Sequence, residues 1–151
     1  MLEPGAALPV VTVADESGSP VSTGDLIGLP LVLYFYPKDD TPGCTNQATQ
    51  FRDLTPAFEK KSARIVGVSR DSSASHRRFK AKYGIPFPLL ADVDSTLCDA
   101  FGVIVEKNMY GKTSRGVQRS TFLFDATGTL VHVWPKANVD GHAEDVLSKI
   151  S

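Results

Sequence analysis

One stretch, Leu31-Val32-Leu33-Tyr34-Phe35-Tyr36, constrains the fold of this chain more than any other. Its odd and even positions are equally apolar, so a strand built from it needs cover on both faces. The strand must therefore be central, and it stops at Pro37. Ile65-Val66-Gly67-Val68-Ser69 is a second short run of the same kind. Between the two, Ala48, Phe51, Leu54 and Phe58 recur at helical spacing and lead to Lys60-Lys61, where cations suit a helix carboxyl end. Pro56 lies inside that segment, and its ring would meet the carbonyl of Arg52, so a kink or break is expected there.

The remaining segments fill out the same pattern. Val10–Ala14 and Pro20–Val21 flank the turn residues Asp15-Glu16-Ser17-Gly18 and read as an N-terminal β-hairpin. A helix opened by Ser72 or Ser73 closes at Gly84, Phe87–Ala91 reads as a short strand, and Asp94-Ser95 is expected to cap a brief helix carrying Leu97, Cys98 and Phe101. Ser120–Phe124 and Leu130–Trp134 read as an antiparallel hairpin. Ala143, Val146, Leu147 and Ile150 form the apolar stripe of a last helix, with Asp140 as its expected cap. Alternating strands and helices imply an α/β fold, a three-layer sandwich around a central mixed β-sheet. The pattern suits the thioredoxin-like class and also other small α/β sandwiches.

Residues 1–151 carry no repeat, linker or shift in composition, so a single domain is expected. With 16 Lys+Arg against 17 Asp+Glu, the charge balance gives no electrostatic reason to expect nucleic acid or a membrane surface as partner. No apolar run approaches the roughly 20 residues of a membrane helix. Met1-Leu2-Glu3-Pro4-Gly5 lacks a secretory pattern, and a cytoplasmic location is expected. There the two cysteines, Cys44 and Cys98, should be free thiols. His76, His132 and His142 are dispersed without carboxylate or cysteine partners at ligand spacing, so neither a metal nor another cofactor is expected. Arg77, Arg78, Lys80 and Lys82 read as a solvated helix face.

The chemistry concentrates in Tyr36-Pro37-Lys38-Asp39-Asp40-Thr41-Pro42-Gly43-Cys44-Thr45. A buried strand ends, a Pro- and Asp-rich loop turns the chain, and a cysteine follows in the first turn of a helix. Free amides and the positive helix end favour the thiolate there. Thr41 stands close enough for its hydroxyl to bond either the sulfur or a bound oxygen substrate, and Pro37 is placed to shield the pocket from water.

Pro37, Thr41 and Cys44 stand in the spacing Pro-x-x-x-Thr-x-x-Cys, which resembles the peroxidatic loop of peroxiredoxins. The longer string from Phe35 to Thr45, with Phe51-Arg52-Asp53, Leu90-Ala91-Asp92 and Ser120-Thr121-Phe122-Leu123-Phe124-Asp125, is similar to the bacterioferritin comigratory protein or peroxiredoxin Q branch. The resemblance implies a thioredoxin-like fold and a thiol-dependent peroxidase with Cys44 as nucleophile. It also implies an arginine aimed at the sulfur, matched here by Arg119. Substrate would be bound by Thr41, Gly43, Cys44 and Arg119, and the partners would be a hydroperoxide and a reductant, thioredoxin or a low-molecular-weight thiol. A monomer is expected, with a dimer as the alternative.

Three positions depart from the family pattern. Many relatives have a resolving cysteine where this chain has Thr49, others have it on the helix matching Ser73–Tyr83, which has none, and Gln47 stands where glutamate is common. Cys98 is left as the one internal candidate to resolve a sulfenic acid, and it also reads as core filler. A one-cysteine cycle is therefore expected first and a Cys44–Cys98 disulfide second. Two other classes stay open: a cysteine hydrolase, which would need a histidine base near Cys44, and a redox-responsive binding protein or holdase with weak turnover.

Overall fold

The computed structural model describes residues 1–150 and carries no side-chain detail for Met109. Its core is a seven-stranded sheet in the order β2-β1-β5-β4-β3-β8-β9. The strands are β1 (Thr12–Ala14), β2 (Pro20–Ser22), β3 (Leu31–Phe35), β4 (Arg64–Ser69), β5 (Leu89–Ala91), β8 (Ser120–Phe124) and β9 (Leu130–Trp134). Strands β3, β4 and β5 run parallel, and the other pairings are antiparallel, so the sheet is mixed as expected.

Every residue of β3 is buried, as its two apolar faces demanded. Val32, Tyr34 and Tyr36 face one cluster with Ala48, Phe51 and Phe58 of helix α1 (Pro42–Lys60), Phe79 of α2 (Ser73–Tyr83) and Val146 of α4 (His142–Ser148). Leu31, Leu33 and Phe35 face a second cluster with Leu97, Cys98 and Phe101 of α3 (Thr96–Phe101). Phe101 packs 4.9 Å from Phe35 and 4.8 Å from Phe122, ring centre to ring centre. Burying one such side chain stabilises the fold by roughly 2–3 kcal/mol. The sheet thus separates two cores, and the two cysteines lie in different ones.

Several local expectations are corrected. Of the kink or break expected at Pro56, the break does not occur: helix α1 continues through this exposed position, where water can take the Arg52 carbonyl that the proline cannot serve. Helix α3 has Ser95 at its N-cap position as expected, but the capping bonds come from the Asp92 carboxylate, which accepts from the amides of Leu97 (3.0 Å) and Cys98 (2.7 Å). Helix α4 begins after Gly141 with no side-chain cap from Asp140. The basic face of α2 is solvated as expected at Arg77, Arg78 and Lys82, with Lys82 binding Asp40 at the surface, while the half-buried Lys80 binds Glu16. A hairpin that the sequence reading did not anticipate, β6 (Ile104–Met109) with β7 (Lys112–Val117), forms a separate two-stranded sheet just before β8. No helix among the described residues is long and apolar enough to cross a membrane.

Candidate active site

The chain leaves β3 at its carboxyl end, turns through Pro37–Thr41 and enters α1. Pro37 and Lys38 are exposed while Asp39 is buried. Asp40 takes a left-handed conformation (φ 57°), and its carboxylate accepts from Tyr83 Oη and Lys82 Nζ, which hold it below its ordinary carboxylate range. Thr41 is the N-cap residue by backbone geometry. Its hydroxyl, however, donates to the Lys38 carbonyl at 2.9 Å, neither to a helix amide nor to sulfur.

This local arrangement leaves donors free at the helix start. Pro42 at the first helical position has no N–H, and the Thr45 amide already bonds the Thr41 carbonyl at 2.8 Å. The amides of Gly43 and Cys44 therefore have no intrahelical acceptor. Cys44 is buried, 2% exposed, and Arg119 Nη2 donates to its Sγ at 3.4 Å. The other arm of the guanidinium, Nη1, donates to Gln47 Oε1 at 2.6 Å, one helical turn beyond Cys44. The acceptor at this position, where glutamate is common in the family, is thus a neutral amide. Gln47 Nε2 is buried without a partner. Gly43 lets the guanidinium approach, since a Cβ at that position would lie 3.1 Å from Arg119 Nη2.

The structure gathers Gly43, Cys44 and Arg119 at one point, with Thr41 and Pro37 on the loop before it. Cys98 is not part of that gathering. It is fully buried beneath the opposite face of the sheet, where burial first and the Asp92 carboxylate second push its thiol far above the ordinary range. Among the described residues no histidine bonds Cys44: the sulfur's side-chain partner is Arg119. His142 Nε2 pairs with Thr121 Oγ1 at 2.7 Å, and burial, helped by Arg119 and opposed by Asp145, lowers its pKa to about 4. The ring is neutral at pH 7.

Two features escaped the sequence reading. Gln47 acts on Arg119 as a neutral acceptor, and His76 does have a carboxylate partner, Asp39 Oδ2 at 2.7 Å. No local spacing signals the second pair, whose members are 37 positions apart. Among the described residues, no group of three or more His, Cys, Asp and Glu side chains is arranged to hold a metal ion. A cleft of about 490 Å³ is lined by residues such as Leu26, Ile65 and Phe87. It opens at the amino ends of the parallel strands, away from the cysteine loop.

The sequence profile of the AhpC/TSA family matches residues 4–133. A putative peroxiredoxin bcp of Coxiella burnetii is 45% identical over 149 residues, covering 99% of both chains. Peroxiredoxin Bcp of Xanthomonas campestris is 55% identical over 120 residues, 80% of this chain and 75% of the relative. Among solved structures, the bacterioferritin comigratory protein of Xanthomonas campestris, studied for its alkyl peroxide reduction activity, superposes with a TM-score of 0.90. It is 45% identical, with 96% of this chain and 97% of that one covered. A cysteine-to-serine mutant of Xylella fastidiosa PrxQ gives a TM-score of 0.93 at 42% identity, covering 99% and 95%.

Proposed function

The chain belongs to the AhpC/TSA family, on its Bcp/PrxQ peroxiredoxin branch of thiol-dependent peroxidases, and from that premise we propose that Cys44 is the peroxidatic nucleophile of a one-cysteine cycle. The observation that carries the reading is the Arg119 Nη2 donor 3.4 Å from the Cys44 sulfur at an uncapped helix start. The Cys44 thiolate attacks the terminal oxygen of a hydroperoxide. An S–O bond forms, the O–O bond breaks, and the departing oxygen takes a proton to leave as water or an alcohol. Negative charge moves from sulfur to that oxygen, where Arg119 and the amides of Gly43 and Cys44 meet it without reorganising. The Thr41 hydroxyl, whose proton is spent on the Lys38 carbonyl, keeps its lone pairs for the peroxide O–H. Pro37 stands at the solvent edge of this pocket as its shield.

The second half of the cycle uses an external thiol, thioredoxin or a small molecule. Its sulfur attacks Cys44 sulfenic acid, water leaves, and a second thiol releases the mixed disulfide. Support comes from the placing of Cys98. A disulfide needs Cα atoms within about 7 Å, whereas Cys44 and Cys98 belong to cores on opposite faces of the sheet. The whole of 1–151 acts as one domain in this reading, in a cytoplasm rich in thiols. The test is peroxide consumption with a thiol donor: Cys44→Ser should abolish it and leave the circular dichroism spectrum unchanged. Retention of turnover by that variant would remove Cys44 from the mechanism.

A further inference from the structure

The loop that carries Thr41 and leads into the first turn of α1 is tied to helix α2 through a buried carboxylate that the reaction itself never touches. Asp39 and His76 have side chains only 4% and 0% exposed, and Asp39 Oδ2 lies 2.7 Å from His76 Nδ1. Asp39 Oδ2 also accepts from Ser75 Oγ at 2.9 Å, and Oδ1 accepts from Tyr36 Oη at 2.6 Å. Burial first, then the neighbouring Tyr34 and Asp39, hold the Tyr36 phenol well above its ordinary range, so it remains a donor. The Asp39 amide donates to Asp71 Oδ2 at 2.9 Å, and that oxygen also accepts from Ser69 Oγ. On its far side the imidazole is fixed by the Leu90 carbonyl, 2.9 Å from Nε2. Both ring nitrogens are therefore held, one by the loop carboxylate and one by the sheet.

Such an arrangement is expensive to bury unless every member is matched, and it sits two residues before Thr41 rather than in the sheet centre. Resting on the reading of Cys44 given above, we propose that the Asp39–His76 pair is a positioning clamp: it holds the Asp39–Thr41 loop against α2 so that Thr41 and the first-turn amides of α1 meet the peroxide. The two halves of the cycle make opposite demands on that loop. A peroxide needs fixed donors, and small misplacements cost heavily. A thiol reductant must reach a sulfur that is 2% exposed, so the loop must yield to it. The clamp favours the first step and opposes the second.

That opposition separates positioning from mere scaffolding. In His76→Leu, kcat/KM for hydrogen peroxide should fall by about 10-fold or more, while kcat/KM for dithiothreitol stays level or rises. His76→Asn, which keeps an N–H toward Asp39, should recover most of the lost peroxide rate. Ser75→Ala, which removes one bond to the same carboxylate from a half-buried position, should show the same split on a smaller scale and serves if His76→Leu does not fold. A peroxide rate within about twofold of wild type in folded variants, or equal falls in both steps, would overturn the clamp. Absence of thiol-dependent turnover in the wild-type arm would instead overturn the reading on which it rests.

Discussion

Cys44 and Cys98 occupy the same helical position, third in α1 and third in α3, and both are buried against the same sheet. Their surroundings differ in sign. At α1 the capping side chain turns away to Lys38, the first amides stay free, and Arg119 brings a positive charge to the sulfur. At α3 the Asp92 carboxylate takes the amides of Leu97 and Cys98 and leaves a negative charge beside the thiol. A helix amino end is therefore not sufficient to activate a cysteine: a capping carboxylate cancels the dipole that the sulfur would otherwise feel.

The largest expected effect comes from making the first site resemble the second. Arg119→Met should lower the rate of Cys44 oxidation by peroxide by about 10²–10³-fold, read by stopped flow. Thr41→Asp supplies α1 with its own capping carboxylate, and it should cost about 10²-fold while the neutral Thr41→Asn costs about 10-fold. Equal rates in those two variants would break the comparison, because the charge would then be irrelevant. A smaller effect involves His142, which packs against Phe51 on the Cys44 side of the sheet. His142, with its pKa lowered to about 4, binds fewer protons folded than unfolded between that value and 6.5. Its contribution to stability is complete above pH 6.5 and is lost as the pH falls toward 4. The fall in Tm over that window should be shallower in His142→Gln than in wild type.

The fold was legible where the pattern was strong. Leu31–Tyr36 had to be central because both of its faces are apolar, and Gly84 had to close α2 because only a left-handed residue ends the helix there, at φ 63°. The β6–β7 hairpin was not legible: its strands alternate weakly, most of β7 is exposed, and the first of its two positive-φ turn positions is Tyr110 rather than Asn, Asp or Gly, with Gly111 only at the second. The break allowed for at Pro56 does not occur, because the position is exposed and water can serve the Arg52 carbonyl.

The candidate site divides along the same line. Cys44, Gly43 and Arg119 come together, but Arg119 was legible through family resemblance rather than chemistry, since an arginine before a strand is ordinarily a solvated edge residue. The orientation of the Thr41 hydroxyl toward Lys38 depends on the left-handed turn at Asp40, which no composition signal encodes. The Asp39–His76 pair is a contact between distant segments, visible only once α2 is packed beside the loop.

The most direct measurement is the intact mass of wild type and Cys98→Ser after one equivalent of hydrogen peroxide, without added thiol. A one-oxygen adduct in both proteins, mapped to Cys44, is the outcome expected if the sheet keeps the two sulfurs apart. Loss of two hydrogens in wild type, replaced by a one-oxygen adduct in Cys98→Ser, would mean that the two cysteines join and that the cycle is not a one-cysteine cycle.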